Sequence, residues 1–600
     1  MIQESIALRS EISEKDTWDL SKLYPNDKAW DNGLNEFEKE AEKIPSFRGT
    51  LKNSAESLAA WLDYSRDLGI LEERLSYYSQ LRQSEDGGDN TARSMTGKFT
   101  IAAAKAEAAA SWAAPEIMAI AEDDINKFLT SPLLNEYKIY LLKLLRYRKY
   151  TLSDKEEKII ALHAEGEGVC SNTFSVLTNV DFDFGVLDTP EGKRPLSQSS
   201  FSVFMENPDR DLRKKAYEAF YHHFDMHKNT IASLYAGQVK QDVIKARIRG
   251  FSSARGQALY RDDVDESVYD NLIDTIGKNL QPLHRYYSLR KKALGLNELR
   301  HYDVYTPLVS TIKKNTTWDE AVEIISAALV PLGEEYVSTL RAGLLGRWAD
   351  RYENKGKRSG AFSAGSFSGE PYILMNYKND SLRHVFTLAH EGGHSMHSWY
   401  SSANNPFMHY DYTIFEAEVA STFNEELLFR YFMKNAESGN SDLRLYVVNK
   451  RVDDILATLY RQTMFAEFEK RTHELEEQGA PLTVDLLRGE YRKLLEKYFG
   501  SEMVLEKESD LEGFRIPHFF RAFYVYKYST GISASLALAE RVLSGGEKEK
   551  QDYFNFLKSG GSRFPIESLK LAGVDMSSPA PVEAACRIFS GLVDELERLL

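Results

Sequence analysis

The sequence predicts a mainly α-helical protein, and three observations support that fold class. Long segments place apolar residues three and four positions apart with charged residues between them, as in residues 54–83, 211–248 and 445–479. Only 17 prolines occur among the 600 residues, and most of them lie between such segments. Stretches with the alternating pattern of a strand are sparse, and no repeat of fixed period is apparent.

Composition and charge predict a globular protein that has neither nucleic acid nor a membrane as partner. Hydrophobic residues make up 42% of the chain and charged residues 28%, which supplies ample material for a core. There are 75 Lys and Arg against 90 Asp and Glu, and the resulting net charge of −15 repels phosphate backbones. The most lipid-like stretch, residues 101–121, is mostly alanine and carries Lys105, Glu107 and Glu116. We therefore expect it to be a packed helix and not a membrane span.

The cysteine content and the N-terminal sequence indicate a cytoplasmic protein. Cys170 and Cys586 are the two cysteines of the chain and lie far apart in sequence, which is typical of a reducing compartment. Residues 1–16 mix charged and apolar residues and lack the uninterrupted apolar core of a signal peptide.

One stretch that departs from the helical pattern suggests a domain boundary. Residues 179–196 have the pattern of a short hairpin. We expect this hairpin to separate an N-terminal helical domain, residues 1–195, from a longer domain, residues 196–600.

A second departure lies directly before a histidine-rich segment. Residues 360–380 begin with a Gly/Ser-rich run and continue as an extended stretch, and Asp380 or Ser381 is placed to cap the helix that follows. This small β element beside the helix either offers backbone groups to an extended ligand or serves as a connection, and the sequence leaves both open.

The histidine-rich segment, "LAHEGGHSMHSWY", has the spacing of a metal site. If it is helical, His390 and His394 lie on one face, where two imidazoles can converge on a metal ion. Imidazoles and a carboxylate are the usual ligands of a catalytic zinc. Glu391 lies about 100° further round the helix and is therefore a candidate general base toward a water molecule. Gly392 and Gly393 each cost the helix roughly 1 kcal/mol, which favours a close approach of another backbone or a substrate.

The spacing alone does not identify a third ligand. In the metzincin pattern Gly and His follow the second histidine by three and six positions, and here those positions hold His397 and Tyr400. His397 could bind a metal, but three ligands on one helix strain a tetrahedral site, so a role in supporting the ligands or in packing is favoured. The helix predicted over residues 412–432 supplies four further candidates, and periodicity does not choose among them: Glu416, Glu418, Glu425 and Glu426.

Several motifs together resemble a known family. "HEGGHSMHS" followed by "FEAEVASTFNEEL", with "DTWDLSKLYPNDKAW" near the start and "IPHFFRAFYVYKYSTG" near the end, is similar to the oligoendopeptidase F branch of the thimet oligopeptidase-like zinc peptidases. The similarity spans essentially the whole chain. It implies one Zn²⁺ per chain, with Glu418 of "EVAS" as the third ligand beside His390 and His394. Glu416 departs from the family pattern, in which an apolar residue is expected.

The resemblance also implies an architecture and a set of substrate-facing residues. It implies an elongated two-part helical molecule with a deep central channel that admits flexible oligopeptides. In the matching C-terminal segment, His518 and Tyr528 are expected to donate hydrogen bonds to the oxyanion that forms on the substrate carbonyl, with Tyr526 as the alternative tyrosine.

These expectations combine into a zinc-dependent endopeptidase that hydrolyses internal bonds of short unstructured oligopeptides as a monomer. Glu391 would take a proton from the attacking water and pass it to the leaving amine. One alternative is a metallocarboxypeptidase or dipeptidyl-carboxypeptidase on the same scaffold, which would need a clamp for the terminal carboxylate. Another is a non-catalytic peptide-binding protein with a structural zinc, although such a site has no need of Glu391. Cobalt or manganese can occupy similar ligands.

Overall fold

A computed structural model of the chain describes residues 6–164, 166–309, 315–436 and 441–600. About 70% of the chain is helical and 4% is in strands, so the prediction of a mainly α protein is confirmed.

The first fourteen α-helices in chain order are α1 (Asp27–Ala41), α2 (Ala55–Glu85), α3 (Asn90–Ala110), α4 (Ala113–Met118), α5 (Glu122–Phe128), α6 (Lys138–Leu145), α7 (Asp154–Ala164), α8 (Val169–Val176), α9 (Phe201–Met205), α10 (Arg210–Met226), α11 (Lys228–Ile248), α12 (Ala254–Tyr260), α13 (Glu266–Lys278) and α14 (Gln281–Ala293). The helices that follow are α15 (Trp318–Ala328), α16 (Glu334–Leu345), α17 (Leu382–Asn404), α18 (Ile414–Ala436), α19 (Ser441–Ile455), α20 (Arg461–Glu477), α21 (Val484–Phe499), α22 (Tyr526–Ser544), α23 (Glu547–Leu557), α24 (Pro565–Leu571) and α25 (Ala580–Leu599).

The strands are short and form small sheets. They are β1 (Val186–Thr189), β2 (Gly192–Pro195), β3 (Leu299–Arg300), β4 (Ala349–Asp350), β5 (Phe362–Gly365), β6 (Pro371–Leu374) and β7 (Met503–Val504). β1 and β2 form the antiparallel hairpin expected within residues 179–196, and β3 pairs with β7 in parallel. In the third sheet β6 lies in the middle, parallel to β4 and antiparallel to β5, so β5 is an edge strand.

The chain alternates between two compact units. The first contains Met1–Lys149, Lys313–Tyr431 and Leu538–Gly573, and the second contains Tyr150–Ile312, Phe432–Ala537 and Val574–Leu600. The predicted boundary at residue 195 divides the sequence in a different way and stays a prediction, as does the predicted channel.

The core of the first unit is built on α1, α2 and α3. Their N-termini are capped by the side chains of Asn26, Ser54 and Asp89, which satisfy backbone N–H groups that the helix leaves unpaired. Trp30 is fully buried, and its indole N–H donates to the carbonyl oxygen of Leu75 at 2.9 Å. β6 joins this apolar core, and α17 packs against β5 and β6. The sheet thus supports α17.

The second unit is centred on α20, which contacts α11, α13 and α21. Its interior is aromatic: Tyr235, Tyr269, Phe468 and Tyr491 are all buried. Such rings pack with tilted or edge-on geometry, as between Phe468 and Tyr491 at 84°. A segment running from residue 517 into α22 lies against this interior.

The alanine-rich stretch near residue 101 forms α3 and α4, with Ala102 and Ala106 buried. None of the helices in the described part of the chain is both long and apolar enough to cross a bilayer.

Candidate metal centre

The two histidines of the predicted motif lie on one face of α17, as expected. The helix begins after Ser381, which is one of the two predicted N-cap residues. Nε2 of His390 and Nε2 of His394 are 3.2 Å apart, and the two ring planes meet at 81°. Both ring nitrogens therefore point to a common position, as two metal ligands must.

Glu418 on α18 brings a carboxylate to the same position. Its Oε2 lies 3.5 Å from Nε2 of His390 and 4.0 Å from Nε2 of His394. One ligand atom from each of the three residues lies within 4.8 Å of the others. Two imidazole nitrogens and one carboxylate oxygen form the donor set of a catalytic zinc site.

The close approach of α17 to α18 depends on Gly393. A methyl group at this position would lie 2.5 Å from the carbonyl oxygen of Ala420 and 2.6 Å from Cα of Ser421. Those are backbone atoms of α18, two and three residues after Glu418. The second helix is also tied to the first by the Asn424 amide, which donates to the carbonyl oxygen of Ala389 at 3.3 Å. The expectation that a backbone approaches this glycine pair is confirmed at Gly393.

Glu391 is placed as a general base requires. Its side chain is buried, with 6% of its surface exposed, and it accepts a hydrogen bond from the backbone N–H of Ser363 on β5. Burial raises the pKa of Glu391, the His390 charge opposes this, and the neighbouring carboxylates of Glu418 and Glu425 add to it, so that the pKa reaches about 7. A carboxyl group with a pKa near neutrality can both accept and release a proton in one reaction cycle.

His390 has a second carboxylate on its other ring nitrogen. Nδ1 of His390 lies 3.4 Å from Oε1 of Glu425, one of the four glutamates that the sequence left open. Burial lowers the pKa of His390, but the hydrogen bond and charge of Glu425, with the charges of Glu391 and Glu418, outweigh it and raise the pKa to about 9. Three carboxylates around one imidazole therefore attract positive charge. A carboxylate on the far nitrogen of a ligating histidine fixes the ring and its tautomer.

His394 carries the opposite electrostatic signature. Burial, followed by the charges of His390 and His397, holds the pKa of His394 well below its ordinary value. Its imidazole is therefore neutral, which is the form that binds a metal ion.

Glu416 points to a different partner. Its carboxylate accepts hydrogen bonds from the backbone N–H of Thr413 at 3.3 Å and from the Thr413 hydroxyl at 3.0 Å, at the start of α18. The residue is buried, and burial raises its pKa to about 7. This is the arrangement of a helix-capping glutamate.

His397 has the packing role that the sequence favoured. It is 1% exposed, and its ring stacks on Tyr412 at 3.6 Å with an angle of 9° between the planes. Burial lowers its pKa to about 3. Tyr412 in turn shares a hydrogen bond of 2.9 Å with Ser398 and donates to the carbonyl oxygen of His394 at 3.4 Å. The stack thus supports the turn of α17 that carries His394.

The site opens into a cavity of about 440 Å³ within the first unit. Its lining comes from residues 361–365, from the ligand faces of α17 and α18, and from Tyr77 and residues 410–412. The edge strand β5 therefore forms one wall of the cavity, and Glu391 lines the same cavity beside His390, His394 and Glu418.

The predicted oxyanion donors belong to the second unit. His518 is exposed, Tyr528 is partly exposed, and their rings lie 6.2 Å apart. Tyr526 is fully buried and packs on Tyr269 at 5.1 Å. Tyr524 joins this group without a signal in the sequence that separates it from Tyr526: its ring lies 6.0 Å from that of His518 and 5.5 Å from that of Tyr528. The role of these residues in oxyanion binding stays a prediction.

A mainly helical fold in which two histidines and a carboxylate converge beside a buried glutamate is typical of the metallopeptidase class. Comparison with known proteins agrees. The profile described as Peptidase family M3 matches residues 203–588, and that described as Oligopeptidase F matches residues 116–184. Because the first covers more than half of the chain, the protein belongs to peptidase family M3 and is a metalloendopeptidase.

Individual relatives extend this similarity over the full length. Oligopeptidase PepF of Bacillus subtilis (strain 168) is 43% identical over 599 residues, which is 99% of this chain and 88% of that protein. The crystal structure of oligoendopeptidase-F from Enterococcus faecium is 31% identical, with a TM-score of 0.73, and covers 96% of this chain and 99% of its own. A crystal structure from Chlamydophila abortus is 36% identical with a TM-score of 0.93, and covers 99% of this chain and all of its own.

Proposed function

We propose that this protein is a zinc-dependent endopeptidase that hydrolyses internal bonds of short, unstructured oligopeptides. The observation that carries the proposal is the convergence of His390, His394 and Glu418 beside the buried carboxyl group of Glu391, in one cavity. Membership of family M3 supports peptide hydrolysis. The relatives named oligopeptidase PepF and oligoendopeptidase-F support oligopeptides as the substrate class.

The residues present fit a zinc ion. The neutral imidazole of His394 and the excess of carboxylates around His390 form a pocket that attracts a cation, and His390, His394 and Glu418 would hold it. When bound, zinc would polarise the scissile carbonyl and lower the pKa of the attacking water.

Glu391 moves the proton in this proposal. Its carboxylate accepts a proton from the attacking water, holds it in a buried environment where the pKa is about 7, and delivers it to the leaving amine. Burial supports both steps, because it makes the protonated form accessible near neutral pH.

β5 can align the peptide with these groups. The backbone N–H of Ile373 on β6 bonds toward β4, so its cross-strand partner Ser363 directs its own backbone N–H and C=O away from β6. The N–H meets the carboxylate of Glu391, and the C=O faces the outer edge, where a peptide N–H can reach it. Addition of a peptide strand to a free sheet edge is a common mode of recognition, because the backbone hydrogen bonds do not depend on peptide sequence. This supports the ligand-binding alternative for the Gly/Ser-rich element.

His518 and Tyr528 complete the proposed mechanism as oxyanion donors. The partial exposure of Tyr528, with its ring beside those of His518 and Tyr524, supports a group of side chains that can meet a substrate. The burial of Tyr526 favours a core role for that residue. The cytoplasmic location and the monomeric state belong to the same proposal, and the two free cysteines are consistent with the former.

A peptide with both ends blocked and a fluorophore and quencher on either side of one internal bond tests the proposal. We expect cleavage at internal bonds, loss of activity on chelation, and recovery on addition of zinc. Glu391→Gln is the matched control, because it should bind zinc and remain inactive. Because a carboxypeptidase needs a free C-terminal carboxylate, cleavage only of unblocked peptides would favour the carboxypeptidase alternative. No cleavage of any peptide by the zinc-loaded protein would favour the binding-protein alternative.

A further inference from the structure

The segment "PHFFRAFYVYKY", residues 517–528, sorts its aromatic side chains into two groups. Phe519, Phe523 and Tyr526 are buried and face the aromatic interior around α20. His518 and Tyr528, with Tyr524, remain exposed or partly exposed. The buried group packs the segment onto the second unit, and the other group lies on the solvent side of the segment.

The backbone of this segment is strained at Phe523. Its φ is 55°, in the left-handed region that glycine readily adopts and that a bulky aromatic residue rarely does. Among the described non-glycine residues, positive φ is found at one further position, Asp263, with φ 52°. Its neighbour Asp262 forms an ion pair of 2.6 Å with Lys527, in the same segment. Phe523 therefore lies within residues 517–528, and Asp263 is adjacent to a residue that forms an ion pair with this segment. Backbone strain of this kind concentrates at functional sites.

Glu469 on α20 holds the strained residue. Its side chain is fully buried, and its Oε1 accepts the backbone N–H of Phe523 at 3.0 Å. Within the described residues, its second carboxyl oxygen has no hydrogen-bond partner. Burial of a carboxyl group costs free energy of folding unless hydrogen bonds compensate for the lost hydration. The hydrogen bond from Phe523 is the contact that explains a glutamate at this buried position.

The burial of Glu469 also sets its charge. Burial raises its pKa well above the ordinary value, while the hydrogen bond from Phe523 opposes that shift and the charge of Asp242 adds to it. This favours the protonated, uncharged form of the carboxyl group, and a glutamine at this position would reproduce the shape of the side chain and its acceptor oxygen.

We propose that Glu469 is a positioning residue for peptide hydrolysis, which fixes Phe523 in its left-handed conformation and thereby places His518 and Tyr528 for the oxyanion. The inference rests on the proposed function, because it gives these two residues their role. Glu469 itself does not touch the substrate. It acts through the backbone of one residue, and the ion pair between Asp262 and Lys527 fixes the other end of the segment.

Steady-state kinetics of the zinc-loaded protein with the internally quenched peptide test this inference. Glu469→Met keeps the approximate length of the side chain and removes the acceptor. We expect its kcat to fall about 10²-fold, since displacements near 1 Å have effects of this size. Its KM should stay within about twofold, because the interaction matters in the transition state. Glu469→Gln should retain wild-type kcat. Tyr286→Phe is the control, because it loses a buried hydrogen bond to Asp453 elsewhere in the same unit and should lower Tm without lowering kcat.

A combined variant separates this inference from the proposed function. In a His518→Ala/Tyr528→Phe background, Glu469→Met should cause little further loss of kcat, because its effect on the reaction passes through these two donors. If Tyr528→Phe and His518→Ala both retain full kcat, the proposed donors are wrong. If they lose kcat and Glu469→Met does not, the positioning role is wrong. A kcat loss in Glu469→Gln equal to that in Glu469→Met would also overturn it. Should Glu469→Met fail to fold, Glu469→Leu removes the same acceptor with a different apolar side chain and should lower kcat without changing KM; unchanged kcat there would contradict the inference.

Discussion

Replacement of Gly393 by alanine should disturb the metal centre through the backbone and not through a ligand. The added methyl group would lie 2.5 Å from the carbonyl oxygen of Ala420 and 2.6 Å from Cα of Ser421. Ordinary contacts begin near 3.5 Å, so α17 and α18 must separate by about 1 Å. Overpacking of this kind lowers the free energy of unfolding by about 1–3 kcal/mol, and the better helix propensity of alanine raises it by about 1 kcal/mol. The net loss of stability is therefore small, at about 0–2 kcal/mol.

The effect on metal binding should be larger than the effect on stability. Glu418 moves with α18, and its Oε2 already lies 3.5 Å from His390 and 4.0 Å from His394. We expect the zinc affinity of Gly393→Ala to fall by about 10–100-fold, the size of effect that follows loss of a group supporting a ligand.

Gly392→Ala is the matched control for this prediction. Its methyl group would lie 3.3 Å from the ends of the Leu340 side chain, which can rotate away, so zinc affinity should be unchanged and Tm equal or higher. Zinc competition against a chromophoric chelator, with thermal unfolding in the presence and absence of zinc, measures both variants. Wild-type zinc affinity in Gly393→Ala, or equal losses in the two variants, would show that the contact of Gly393 with α18 does not position Glu418.

Three further predictions concern the ligand, the donors and the substrate. Metal analysis should show that Glu418→Gln loses zinc while Glu416→Gln retains it and mainly lowers Tm; the opposite pattern would transfer the ligand role to Glu416. His518→Ala and Tyr528→Phe should each lower kcat by about 10²–10³ with KM nearly unchanged and zinc retained. Tyr526→Phe should stay active because Tyr526 is buried, and an inactive Tyr526→Phe beside an active Tyr528→Phe would move the donor by two residues. A flexible peptide should be cleaved far faster than the same sequence inside a folded domain, and equal rates would contradict the predicted channel.

Local features of the site could be predicted from the sequence because helix geometry determines them. The four-residue spacing of His390 and His394 places both on one face of α17, and Glu391 follows from the same helix. The capping role of Glu416 could also be predicted from the sequence, because Thr413 and Glu416 have the T-x-x-E spacing of a capping box at the start of a helix. That signal would have separated Glu416 from Glu418 without the family resemblance.

The remaining features depend on contacts between residues distant in sequence. The sequence around Glu425 does not distinguish it from a glutamate on the solvent face of a helix. Its position beside Nδ1 of His390 follows from the packing of α18 on α17. Glu469 and Phe523 are 54 positions apart, and nothing local in either segment marks the bond between them. Likewise, the partial exposure of Tyr524 and the burial of Tyr526 depend on how this segment packs against the aromatic interior of the second unit. The alternation of tyrosines along the sequence does not determine which of them is buried.

In the proposed mechanism Glu391 moves the proton at a metal centre that other residues hold. Glu391→Gln keeps the size of the side chain and removes its ability to accept that proton, and it alters none of the proposed zinc ligands. Measured together on the purified variant, zinc content should equal that of the wild type, and kcat on the blocked, quenched peptide should fall by about 10²–10⁴. A fully zinc-loaded Glu391→Gln with near-normal kcat would contradict the account.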